Sequence, residues 1–231
     1  MTSPPNHRRF DVYAPVHKAY RAFMGDTLAR LGRIDLDDPT DAAATLAQVR
    51  ALLHSMRHHV AHEDRHVHPM VANTGAMPAS AHEHDEHLRE IAELELSAAA
   101  IPAAPRVERA TLAHRLYLAL SKAVGEQFLH MLGEEQNNNL VLWACYTDAE
   151  IVAMHDRLVA DVDPIVNGEI LAWMLPALTP AELAALLEDT RAKAPPPMFA
   201  RLLALARERL APARFARLER ALRRKPEVAP A

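Results

Sequence analysis

A chain of 231 residues with 26 basic against 30 acidic side chains and a formal charge of −4 offers no electrostatic reason to bind nucleic acid. Half of it is hydrophobic and only six residues are glycine, which suits a helical protein with a sizeable core: one domain, or one domain with a helical extension. One cysteine, Cys145, excludes an intrachain disulfide framework and favours a reducing compartment. With no signal-like N-terminus and no run near the ~20 apolar residues of a membrane span, a cytoplasmic protein is expected.

Residues 1–14 read as an irregular lead-in. Pro15 suits the first turn of a helix, and Val16, Ala19, Tyr20, Phe23, Met24, Leu28 and Leu31 follow at helical spacing, with Gly32 as the stop. His17 lies on the apolar side of this helix near its start; alone, it could equally be a packed or capping histidine. Asp37, Asp38 and Pro39 mark a turn and a new start. The second helix carries Leu46, Val49, Leu52, Leu53, Met56, His59, Val60, Glu63 and Val67 on its inward side. That stripe begins hydrophobic and passes into His59 and Glu63 without changing face. A histidine and a glutamate four apart project from the same side, and a carboxylate on a core face is costly unless paired or bound to metal. His58, His62 and His66 point toward other faces. Pro69, Asn73, Gly75 and Pro78 are expected to break the chain.

Nine of the fourteen histidines fall between His54 and His87, interleaved with Glu63, Asp64, Glu83, Asp85 and Glu86. Imidazole is the commonest metal-donating side chain, so this segment is expected to supply much of a buried metal site. Ser80 and Glu83 match a capping box, opening a third helix near Ala81 that runs to about Ala100. His84 and His87 lie on its inward stripe with Leu88, Ile91, Leu94 and Ala98; His82, in the first turn, is less well placed. From Arg106, Leu112, Leu116, Leu120, Val124, Phe128, Met131 and Leu132 mark a long fourth helix reaching toward Cys145. It carries His130 and Glu134, again four apart.

Stacked antiparallel, the first two helices bring His17 and His59 to similar height, since 15 and 18 residues span ~23 and ~27 Å. The third and fourth match less well, which predicts irregular chain within 101–112. The expected fold is all-α: an up-down four-helix bundle over 15–162 with the donors at one end, and an additional C-terminal helical region over 163–231. That region is read as helices after capping boxes at Thr147 and Thr179, after Asp163-Pro164, and as a final pair around Phe199–Leu210 and Arg214–Arg223. It is expected to pack on the bundle or to form a homo-oligomer contact.

His62-Glu-Asp-Arg-His66 spells HExxH, the pattern in which two histidines hold zinc and the glutamate activates water. A zinc hydrolase built on it leaves His17, His84, His87, His130 and Glu134 without employment. The whole set, His17 with Arg21, His59-xxx-Glu63, His84/His87 and His130-xxx-Glu134 on successive helices, resembles the hemerythrin-like (HHE cation-binding) family over roughly residues 12–160. The resemblance implies a four-helix bundle with two non-haem iron ions, oxo- or hydroxo-bridged. It implies Glu63 and Glu134 as bridging ligands and His17, His59, His84, His87 and His130 as terminal donors. Mixed imidazole and carboxylate donors suit iron, and bundle cores are where such sites are built.

Oxygen-carrying members have two histidines four apart on the third helix, where His84 and His87 are three apart. Their last acid is an aspartate five beyond its histidine, where Glu134 is four beyond His130. The latter spacing is closer to members that sense iron or oxygen. If a single histidine of the third helix binds, His84 is preferred, aligned with Leu88 and Ile91. The implied function is binding or sensing of O2, iron or redox state. The alternatives are a diiron enzyme turning over peroxide or nitric oxide, the zinc hydrolase, or a purely structural helical protein.

Overall fold

The computed structural model describes residues 9–79 and 81–223, and among these every regular element is helical. Helices α1 (Ala14–Leu31), α2 (Pro39–His62), α3 (His68–Ala72), α4 (His84–Ala103) and α5 (Arg106–Cys145) are followed by α6 (Asp148–Asp161), α7 (Pro164–Ala177), α8 (Pro180–Lys193), α9 (Pro196–Arg209) and α10 (Pro212–Arg223). A π-helical turn, Glu63–Val67, joins α2 to α3, and a 3₁₀ turn, Ala81–Glu83, precedes α4.

Local chemistry fixes most of the ends. Pro15 lies in the first turn of α1, where a missing N–H costs nothing, and Asp11 Oδ1 accepts from the amides of Tyr13 and Ala14. Asp38 and Asp163 cap α2 and α7, and full capping boxes at Thr147/Glu150 and Thr179/Glu182 open α6 and α8. Ser80, the first half of the third expected box, lies outside the described residues. Glu83 precedes α4, and its carboxylate accepts from His130 Nδ1 instead.

α1 packs on α2 and α5, and α4 packs on the same two, so four helices enclose one core. That core holds Tyr20, Phe23 and Met24 of α1, Val49, Leu52, Leu53 and Met56 of α2, Ile91, Leu94 and Ile101 of α4, and Leu116, Leu120 and Met131 of α5. Two expectations need adjusting. Within 101–112 only Ala104 and Pro105 fall outside helix, as α4 runs to Ala103 and α5 is continuous from Arg106. The length mismatch is absorbed as overhang, because the first buried residue of α5 is Ala113 and Val107 is 87 % exposed. Nor does Pro69 end the second helix. The π turn widens the helix just before it, and the chain stays helical to Ala72.

A second apolar cluster lies beyond the other end of the main core, from Val12, Tyr13, Val67, Val71, Leu142, Ile151 and Met154. Arg9 fastens the first described residues over it, donating to the carbonyls of Trp143 and Tyr146 and to Asp148, while residues 1–8 of the expected lead-in lie outside the described residues. The C-terminal helices share a third core, with Leu175, Leu183, Leu187, Leu202, Ala206 and Phe215. They dock through α7 on α1, where Trp173 stacks on Phe23 at 4.6 Å. No helix among the described residues is long and apolar enough to cross a membrane.

Candidate metal centre

Between the main core and the second apolar cluster the helices turn polar side chains inward. His17, Glu63, His68, His84, His130 and Glu134 are all buried, and the His59 side chain is 12 % exposed. Donor atoms of His17, His59, Glu63 and Glu134 lie within 4.8 Å of one another, as do those of Glu63, His68, His84 and Glu134. Two four-residue donor groups therefore share the same two carboxylates. His17 Nε2 lies 3.7 Å from Glu63 Oε1 and 3.6 Å from Glu134 Oε2, while on the other side His84 Nε2 is 3.6 Å from Glu63 Oε2 and His68 Nε2 is 3.7 Å from Glu134 Oε1.

These separations are too long for hydrogen bonds and suit atoms held around a common cation. Both oxygens of Glu63, both of Glu134, and Nε2 of His17, His59 and His68 are buried with no hydrogen-bond partner. His59 Nε2 approaches Glu63 Oε1 to 3.2 Å but without hydrogen-bonding geometry. Orphaned buried polar atoms are rare and costly; so many, facing one another, fit a pair of metal ions.

The Nδ1 atoms of His17, His68, His84 and His130 are all spoken for. His17 Nδ1 bonds Glu135 Oε1 at 3.0 Å, and Glu135 is itself held by Arg21. Asp64 Oδ1 meets Nδ1 of both His68 and His84, at 3.0 and 2.8 Å, and Glu83 takes His130 Nδ1 at 2.8 Å. A carboxylate on Nδ1 fixes the tautomer and leaves Nε2 free to donate to a metal. The His59 ring lies against Tyr20, 4.5 Å between centroids, with the Tyr20 hydroxyl donating to the Ser55 carbonyl.

Electrostatics follow from burial and crowding. Burial and the neighbouring Glu134 raise Glu63 to about 8. Burial alone would lower His17, but bonding to Glu135 and the charges of Glu63 and Glu134 outweigh it, so it rises to about 9. Burial and nearby imidazoles hold His59 well below its ordinary value, and His130 at about 4. Tyr13 rises through burial and through the charges of Glu134 and Glu63, and its hydroxyl accepts from Asn138.

Of the seven residues singled out in the sequence, His17, His59, Glu63, His84 and Glu134 fall in the two carboxylate-sharing groups. His130 stands at their edge, with Nε2 3.5 Å from Glu134 Oε2 and 3.2 Å from His84 Nε2. His87 does not enter either group. It sits behind His130, ring centroids 4.6 Å apart, in a separate cluster with Glu83 and His130, and its buried Nδ1 has no partner. Sequence reasoning missed His68; the one signal was Pro69, a proline inside a helical run. The HExxH histidines do not close on Glu63. His62 and His66 are in none of the donor groups among the described residues, and His66 bonds Asp161 on the outside. No protein-family model, curated protein or solved structure matches this chain.

Proposed function

We propose that this is a hemerythrin-like protein, an up-down four-helix bundle holding two non-haem iron ions, that binds or senses O2, iron or redox state. The observation that carries the reading is the sharing of Glu63 and Glu134 between two donor groups, with all four of their oxygens buried and unpartnered. His17 and His59 complete one iron site, and His68 and His84, with His130 adjacent, complete the other. Two carboxylates offset part of the charge of two ferrous ions, and mixed nitrogen and oxygen donors suit iron. Bound iron supplies the redox chemistry and the affinity for a small diatomic or peroxide ligand. The chain's own part is to orient the donors and to keep bulk water out between two apolar clusters.

Anaerobic loading with ferrous iron is expected to leave about two irons per chain, and admission of air to produce near-UV charge-transfer absorption. A chain that retains no iron, or stays colourless after loading, defeats the proposal. A second reading, turnover of peroxide or nitric oxide, is favoured by the small donor number: four buried protein groups around each site would leave iron with room for a substrate. Multiple-turnover assays with each substrate separate the two. The zinc-hydrolase reading has the weaker support, since Glu63 lies with the buried donors and His62 and His66 do not.

A further inference from the structure

α2 and the π turn that follows it carry another histidine array on their outer side. His54, His58, His62 and His66 recur every four residues, so each stands one turn above the last on one face. Centroids of successive rings lie 4.6, 6.0 and 6.5 Å apart. His54 is exposed and the other three are half-buried, which leaves the row open to solvent. None of them belongs to the buried donor groups, and none is a core residue of α2. A merely solvated helix face is ordinarily built from strong helix formers such as Glu, Lys, Gln and Arg, not from four imidazoles in register.

Two imidazoles one turn apart can chelate a single cation. With a metal–nitrogen bond of about 2.1 Å and about 1.1 Å from nitrogen to ring centre, rings bound at angles between right and tetrahedral have centroids about 4.5–5.2 Å apart. The His54–His58 pair, at 4.6 Å, already has that spacing. The next two pairs are wider and require side-chain rotation. At the far end Asp161 Oδ2, already paired with Arg65, lies 3.1 Å from His66 Nε2.

We propose that the His54–His66 row is a surface site for a divalent transition cation, seeded at His54 and His58 and distinct from the buried centre. Donors that are almost all imidazole favour copper, nickel or zinc over ferrous iron, because affinity for nitrogen ligands rises in that direction. The clamped turn leads directly into His59, so occupation of the row stiffens the part of α2 that supplies the interior donors.

The test is a Zn2+ titration of the full chain against a chromophoric chelator, comparing the wild type with His54→Ala/His58→Ala. The wild type is expected to hold about one Zn2+ per chain more than the variant, whatever the interior takes up. Excess Zn2+ is also expected to raise the Tm of the wild type by more than that of the variant. Equal stoichiometries overturn the proposal, as does an equal rise in Tm. Ferrous loading of the same two proteins reads the interior separately. A Zn2+ difference with no iron uptake in either protein sinks the diiron reading alone, and normal iron uptake with no Zn2+ difference sinks the surface site alone.

Discussion

His68 donates its amide hydrogen to the carbonyl oxygen of Glu63, five residues back rather than four. In a regular α-helix residues five apart point about 140° away from each other. The wider π turn, a feature frequent at functional sites, brings His68 round toward Glu63, so both reach the same carboxylate-lined space. His68→Ala is therefore expected to lower bound iron from about two per chain to about one. His66→Ala, two residues earlier and bonded to Asp161 on the surface, should leave it unchanged. Elemental analysis of both variants after anaerobic loading decides; equal iron in the two makes His68 a bystander.

Asp64 serves two imidazoles with one oxygen, meeting Nδ1 of His68 and of His84. Replacing it by Asn leaves the fold of the exposed turn intact but removes the charge that orients both rings. Metal affinity is expected to fall about 10–100-fold, measured by chelator competition. An affinity within a factor of two of wild type would mean the rings are held by packing alone.

The two central carboxylates should act with opposite sign on stability and on binding. Above pH 8 the metal-free protein carries Glu63 as a buried carboxylate, and its oxygens, like those of buried Glu134, have no hydrogen-bond partner. Glu63→Gln removes one charge and supplies an amide that can donate to its neighbour. It should stabilise the metal-free fold by about 1–3 kcal/mol, several degrees in Tm, while abolishing retention of two irons. Thermal melts at pH 9 with and without iron test both halves; a metal-free variant less stable than wild type contradicts the argument.

The same groups set a pH profile. Glu63 is held at about 8 in the fold against an ordinary 4.5, so the folded state keeps a proton the unfolded chain has released, and stability falls as pH rises through that window. His17, raised to about 9 from 6.5, loses its stabilising charge in the same direction. On the acid side, Glu135 is lowered to about 2, against the pull of its burial, by His17 and Arg21; its contribution is present above 4.5 and lost below. His130, lowered to about 4 from 6.5, also disfavours the fold as pH drops through that range. Metal-free protein should thus melt highest at about pH 6. Iron loading should flatten the alkaline limb, since bound metal keeps the donors deprotonated across that range. Melting curves from pH 4 to 9 check this; a metal-free Tm still rising at pH 9 contradicts it.

What could be read from residues alone was whatever is encoded locally. The helical spacing of α1, the aspartate at the head of α2 and the boxes at Thr147 and Thr179 are short-range chemistry, and those elements lie where spacing and capping put them. His17, His59, Glu63, His84, His130 and Glu134 stood out because each continues an apolar stripe. Three-dimensional detail was harder. His84 and His87 lie on one stripe three residues apart, and only the neighbouring α5 separates them, placing His130 between His87 and the shared carboxylates. His68 was hidden because its direction depends on one extra residue in a turn. Pro69 lacks the N–H an α-helix needs there and crowds the carbonyl four residues back, but a sequence does not say whether such a proline ends a helix or widens it.

The C-terminal third bears on the centre through α1. Besides the Phe23–Trp173 stack, Lys18, the residue after His17, is gripped by both carboxylate oxygens of Glu182 at 2.6 and 2.8 Å. The rod that presents His17 is thereby braced from outside as well as from within, so the α1 backbone at His17 cannot shift without disturbing its contact with the outer helices.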